Sequence, residues 1–181
     1  MKQTKFHGNI WVIVDEKGEL IEDIDTDQIY HNAHLHVTDV NEMGKYAFGN
    51  LEGWEDFPEK AKPGDIIFVG RNFGAGSSRQ HAVDCFKALG ISAIVGESFG
   101  AIYKRNAINS GLPILEVPGL SDLVKAGKFE TGDEVEIDFL EGKIKNITKG
   151  IEIQARKPSK VQIDIYLAGN IFQYGRTIAK N

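Results

Sequence analysis

The chain opens with a dense apolar run. FHGNIWVIVD (Phe6–Asp15) is rich in Ile, Val and Trp and predicts a buried strand. After a KGE turn the pattern becomes acidic and loop-like in IEDIDTDQIY. TDVNEMGKYAF then predicts a helix, with Asp39 and Glu42 spaced to form a capping box. GNLEGWEDFPEKAKPGD mixes Gly, Pro and alternating charge, which predicts loop with one short helix.

The grammar changes at residue 65. DIIFVG predicts a strand, SRQHAVDCFKALG a helix with Ala82, Cys85, Phe86 and Leu89 on one face, and Gly90 its end. ISAIVGES predicts a strand, FGAIYKRNAINSG a helix stopping at Gly111, and LPILEV a third strand. Strand–helix–strand–helix–strand with short links is the mark of right-handed parallel crossovers. The last third alternates again: DEVEIDF, KIKNIT and GIEIQAR predict a meander turning at LEGK and TKG. SKVQIDIYLAGN predicts a closing helix capped by Ser159, with a short tail. No repeat, low-complexity run or composition break divides residues 1–181, so one α/β domain is expected.

Composition narrows the function. The 181 residues are 41% hydrophobic and 26% charged, ordinary for a globular protein. A formal charge of −5 argues against a broad nucleic-acid surface. A single cysteine, Cys85, cannot make an intrachain disulfide or by itself hold an iron–sulfur cluster or a zinc–thiolate site, so no metal is expected on this chain. No apolar run has signal-peptide or membrane-spanning character, and a cytoplasmic setting is expected.

The chemistry concentrates in GRNFGAGSSRQHA (Gly70–Ala82), where three glycines and two serines run into an arginine and a helix. Strand, glycine-rich turn and helix N-terminus together make an anion grip, because the first helical N–H groups are unpaired and carry partial positive charge. Gly74 and Gly76 would let a ligand approach bare backbone, and Ser77, Ser78 and Arg79 add two hydroxyls and a bidentate fork. Neither common nucleotide loop fits. There is no lysine for a Walker loop, and Arg79 stands where a dinucleotide fingerprint needs its last glycine. A compact carboxylate or phosphate is the better ligand; a plain strand–helix connection capped by Ser77 is the alternative.

The whole phrase resembles the small subunits of 3-isopropylmalate dehydratase and their relatives, homoaconitase and aconitase, in which the module is a swivel domain. DIDTDQI, KPGDIIFVGRNFG, SAIVGESFGAIYKRNAINSGLPIL and GDEVEIDF are similar to family segments in the family's order, over most of residues 8–140. The resemblance implies a swivelling β/β/α three-layer fold with a mixed sheet. It implies a hydro-lyase that moves water across a C–C bond of a hydroxy-carboxylic acid, with a [4Fe–4S] cluster in a partner large subunit and none here. By the same resemblance Ser77 is the base in alkoxide form, and Ser78 and Arg79 bind substrate carboxylates. Asp27 reaches the site to orient a histidine of the large subunit, while His81 packs locally.

The chain departs from the pattern in its substrate-reading loop, HNAHLHVTD. Ala33 and His34 stand where relatives show arginine and tyrosine, and Leu35 is kept. His36 stands where relatives taking a side-chain carboxylate have arginine and isopropylmalate enzymes are apolar. A histidine commits to neither, so 2,3-dimethylmalate and homocitrate stay open beside 3-isopropylmalate. A carboxylate-binding module without catalysis is the second class, disfavoured by the intact Ser77, Ser78, Arg79 and Asp27. Tyr46, Phe48, Trp54 and Phe57 are expected to divide between the domain's own packing and the partner's face.

Overall fold

The computed structural model describes residues 2–180. In chain order the elements are β1 (Lys5–Val12), α1 (Thr26–Ile29), α2 (Val40–Met43), α3 (Phe57–Lys60), β2 (Ile66–Val69), α4 (His81–Ala88), β3 (Ala93–Gly96), α5 (Ala101–Asn109) and β4 (Ile114–Glu116). They continue through α6 (Leu120–Lys125), β5 (Glu134–Asp138), β6 (Lys143–Asn146), β7 (Ile151–Gln154), α7 (Lys160–Ala168) and α8 (Ile171–Ala179).

The strands form one seven-stranded sheet in the order β4-β3-β2-β1-β5-β6-β7. β1 is the hinge of this mixed sheet. It pairs parallel with β2 on one side and antiparallel with β5 on the other. Parallel strands are covered on both faces and therefore read as unbroken apolar runs. All four residues of β2 are 0% exposed, Ile67 and Val69 facing one core and Ile66 and Phe68 the other. The antiparallel strands alternate instead, with Val135, Ile137 and Ile144 buried between exposed or half-buried neighbours. These residues share a core with Ile66, Phe68 and Val95 of the parallel half, so the sheet curls over itself and makes β layer upon β layer. The opposite core carries the α layer: Ala82, Val83, Cys85 and Phe86 of α4 and Tyr103 and Ala107 of α5 pack beneath Ile67, Val69 and Ile94. The expected β/β/α arrangement is observed.

Several local expectations differ. The acidic stretch read as loop contains α1, and the capping box sits there: Asp25 accepts from Gln28 N at 2.8 Å while Gln28 Oε1 accepts from Asp25 N at 2.9 Å. Asp39 caps α2 by accepting from Asn41 N at 3.0 Å, but Glu42 turns away and pairs with Lys45 at 2.8 Å. The tail is helical, as α8, and α6 follows β4 unforeseen. Its N-cap, Gly119, lies at φ 82°, and no side-chain cap marked its start. All four aromatics of the 46–57 region pack on the domain itself. Phe48 and Phe57 are fully buried, Tyr46 stacks on His34 at 3.9 Å, and the Trp54 indole donates to Val14 O at 2.9 Å. Tyr46 and Trp54 are only partly buried and keep some exposed surface.

Candidate active site

Ligands in α/β sheets gather at the carboxyl ends of parallel strands, and three such connections meet here. The loop after β2 lies between the segment after β1 and the segment after β3. On the first side Gly74 N donates to Ile24 O at 2.8 Å, Thr26 N to Ala75 O at 3.0 Å and Thr26 Oγ1 to Ser77 O at 3.0 Å. On the second side Phe73 N donates to Ser98 O at 3.1 Å and Gly100 N to Phe73 O at 2.9 Å. The serine loop is therefore held in a three-stranded braid of backbone, although it forms no regular element.

That braid brings Asp27 to Arg79 across 52 residues of chain. Asp27 Oδ1 accepts from Arg79 Nη1 at 2.9 Å and from Asn32 N at 2.9 Å, and Oδ2 accepts from Asn50 Nδ2 at 3.0 Å. Arg79 Nη1 also donates to Tyr30 O at 2.7 Å. The guanidinium side chain is 14% exposed and the carboxylate 40%. The hydrogen bond from Arg79, supported by the Asn32 N–H, holds the Asp27 carboxyl below the usual carboxylate range against an opposing desolvation. Asp27 is thus an anion whose charge is spent on orienting Arg79. Nε and Nη2 of Arg79 make no hydrogen bond among the described residues, which leaves the outer edge of the fork for a carboxylate.

Ser77 and Ser78 are exposed at the rim. Ser78 Oγ accepts from Asn106 Nδ2 at 2.9 Å, so its own proton is free to be donated. Ser77 is fixed through its main chain, and its Oγ makes no side-chain hydrogen bond among the described residues. Ser77 is not the helix cap. α4 begins at His81 with Gln80 ahead of it, and the N–H groups of Ala82 and Val83 in its first turn are already taken by Arg79 O and Gln80 O, each at 3.0 Å. The two glycines also separate. Gly74 is buried at φ 82°, and a Cβ there would stand 2.2 Å from Tyr103 Cγ; its bareness admits α5. Gly76 is exposed at φ 96° with nothing nearer its Cβ position than Thr26 Oγ1 at 3.8 Å, which leaves its backbone open to a ligand.

His36 lies exposed beyond the short helix Asn32–His34, its ring 6.5 Å from that of His34. The loop is tethered to α4 because His81 Nε2 hydrogen-bonds Val37 O at 2.9 Å, the local role expected for His81. Burial, with His31 and His36 nearby, lowers the His34 pKa and favours its neutral form. Two cations near the site are spent elsewhere, Arg71 on Glu22 and Lys104 on Glu116. Thr26, Asn50 and Asn106 are the site residues that sequence reasoning missed. Each acts through a contact at least 23 residues away along the chain, and no spacing marks such a contact. Cys85 is fully buried, and burial pushes its thiol well above the ordinary range. No group of three or more His, Cys, Asp or Glu side chains among the described residues could hold a metal ion. No helix among them is long and apolar enough to cross a membrane.

The family model of the aconitase C-terminal domain matches residues 17–119, which contain the whole of this site. The 3-isopropylmalate dehydratase small subunit of Aquifex aeolicus is 41% identical over 96% of this chain and 96% of its own length. The isopropylmalate/citramalate isomerase small subunit of Methanocaldococcus jannaschii is 41% identical over 83% of this chain and 86% of its own. A crystal structure of 3-isopropylmalate dehydratase from M. jannaschii superposes with a TM-score of 0.80 at 32% identity, covering 98% of this chain and 95% of that one. The curled mixed sheet, the braided serine loop and these full-length likenesses agree: the chain belongs to the aconitase C-terminal domain family, in its branch of 3-isopropylmalate dehydratase small subunits.

Proposed function

We propose that residues 1–181 act as one swivel domain, the small subunit of a heteromeric, cytoplasmic hydro-lyase that isomerises or dehydrates a 2-hydroxy dicarboxylic acid of the 3-isopropylmalate type. The observation that carries the reading is a half-built site. Arg79 is oriented by Asp27 and Tyr30 O with one edge free, while Ser77 and Ser78 stand exposed beside it. Such a set binds a carboxylate but lacks a centre to take a leaving hydroxyl. The donor set of this chain, one buried cysteine and no metal-holding cluster among the described residues, does not fit an iron–sulfur cluster. A large subunit carrying the [4Fe–4S] cluster would supply the Lewis acid.

This chain's residues divide the remaining work. The outer edge of Arg79 and the Ser78 hydroxyl take a substrate carboxylate and fix the carbon that loses its proton. Ser77 Oγ, as alkoxide, accepts that carbon-bound proton and ends as the neutral hydroxyl. A serine alkoxide needs positive potential around it. Arg79 is the cation on this chain, and docking would add the partner's dipoles while excluding water. Asp27 stays ionised and orients Arg79, and a histidine of the large subunit would meet its part-exposed carboxylate. His36, exposed on its tethered loop, would face the substituent that distinguishes one malate from another. The names of the relatives, isopropylmalate and citramalate enzymes, favour a substituent without charge.

The test is reconstitution with the large subunit under anaerobic conditions. Enoate formation is followed from 3-isopropylmalate, 2,3-dimethylmalate, citramalate, homocitrate and citrate. Turnover of one acid that disappears in Ser77→Ala is the expected result. A complex that forms and is as active with Ser77→Ala as without it would refute the base assignment.

A further inference from the structure

We infer that Asn50 is a positioning residue of the site: it holds the Asp27 carboxylate in the rotation that grips Arg79 and leaves the guanidinium's outer edge to the substrate. Both partners of Oδ1, Arg79 Nη1 and Asn32 N, act on one oxygen, and turning the carboxylate about its soft last torsion would carry that oxygen off both donors. Asn50 Nδ2, at 3.0 Å from Oδ2, is the hydrogen bond on the other oxygen that resists that turn.

The turn that delivers Asn50 is unusually constrained. Phe48, two residues earlier, lies at φ 58°, a left-handed conformation disfavoured for a bulky side chain. It is held there by full burial, by edge contacts to Phe57 and Phe86 with centroids 5.2 and 5.1 Å apart, and by its N–H donating to Ile29 O at 2.7 Å. Gly49 N then donates to Tyr46 O at 3.0 Å. Strained backbone persists where the surroundings over-determine it, and it collects near working sites. Here the strain aims an exposed amide at an aspartate 23 residues away, in a place where an exposed asparagine would otherwise meet only water. The charged and titratable groups around the Asp27 carboxylate are Arg79 and His31. An amide at position 50 binds Oδ2 without altering that balance, whereas a carboxylate would repel it.

The inference rests on the reading of this chain as a hydro-lyase subunit, and the test keeps the two apart. In the reconstituted complex, kcat and KM are measured against pH for the wild type, Asn50→Ala and the isosteric Asn50→Asp, with Ser77→Ala and Asp27→Asn as controls. The Asp27 carboxyl carbon is titrated by NMR in the chain itself. Both Asn50 variants should lower kcat/KM about tenfold, mainly through KM, the worth of one hydrogen bond to a charged group. Both should also move the acid limb of the profile and the Asp27 titration upward together, Asn50→Asp further because it adds a like charge to the lost hydrogen bond. A wild-type KM and profile in both variants, with Ser77→Ala and Asp27→Asn inactive, would overturn the role of Asn50 and leave the functional reading intact. An unmoved Asp27 titration in Asn50→Asp would overturn the contact itself. Wild-type turnover in Ser77→Ala and Asp27→Asn would refute the roles given to these site residues and overturn the inference with them, while absence of turnover in the wild-type complex would overturn the functional reading.

Discussion

Gly74→Ala separates what the glycines of the serine loop do for folding from what they do for a ligand. Its φ of 82° would cost an L-residue about 1–2 kcal/mol. The new methyl would also fall 2.2 Å from Tyr103 Cγ and 2.4 Å from its Cβ. Tyr103 cannot step aside easily, since it is 2% exposed, its hydroxyl donates to Ala82 O at 2.9 Å, and it packs edge-on against Phe73 at 5.3 Å. Overpacking of this kind adds about 1–3 kcal/mol, for a total of roughly 2–5 kcal/mol. At about 2–4 °C per kcal/mol for a chain of this size, the melting temperature should fall by roughly 4–20 °C. Gly76→Ala carries the backbone cost alone, about 1–2 kcal/mol, because nothing lies within 3.8 Å of its Cβ position. The assay is thermal unfolding of both variants by circular dichroism, cross-checked by urea titration. Equal losses in the two variants, or a Gly74→Ala midpoint within about 2 °C of wild type, would refute the packing argument.

Asp27→Asn should destabilise the chain by about 1 kcal/mol at pH 7, a hydrogen bond to a charged group discounted for the carboxylate's partial exposure. Because folding lowers the Asp27 pKa, that stabilisation is present above the ordinary carboxylate value, about 4, and is lost as pH falls through the lower folded value. Melting curves of the two proteins should therefore separate at pH 7 and converge once the pH has fallen below the lowered folded value; a gap that persists in strong acid would contradict the ion pair. Cys85 should react with a thiol reagent only after unfolding, given its full burial and raised pKa, and rapid labelling of the native chain would contradict the α4 packing. Asn106→Ala frees Ser78 Oγ and should raise KM a few-fold with kcat little changed; an unaltered KM in the reconstituted complex would remove Asn106 from the positioning of Ser78.

Local chemistry determined a good deal of this protein by itself. The unbroken apolar runs DIIFVG and SAIVG could only be strands covered on both faces, and they became β2 and β3. The alternation in DEVEIDF required one wet face and gave β5. GAGSSR, Gly and Ser running into a helix, pointed to an anion-binding turn with a plain strand–helix connection as its alternative. The resemblance to family segments over most of residues 8–140 implied that Ser77, Ser78, Arg79 and Asp27 share one site. Tertiary structure alone decided the rest. A capping box was readable as a spacing, yet two spacings competed, and the one at Asp25–Gln28 closed while Asp39–Glu42 lost its glutamate to Lys45. Gly74 looked like a gap left for a ligand and proved to be the seat of Tyr103, a ring 29 residues further on. Asn50, Asn106 and Thr26 entered the site through hydrogen bonds that exist only once β1, β2 and β3 lie side by side. Periodicity and capping act over one or two turns of chain and are written in neighbouring residues. A contact between distant segments depends on how the sheet curls and where each loop leaves it, which is set by the packing of the whole core.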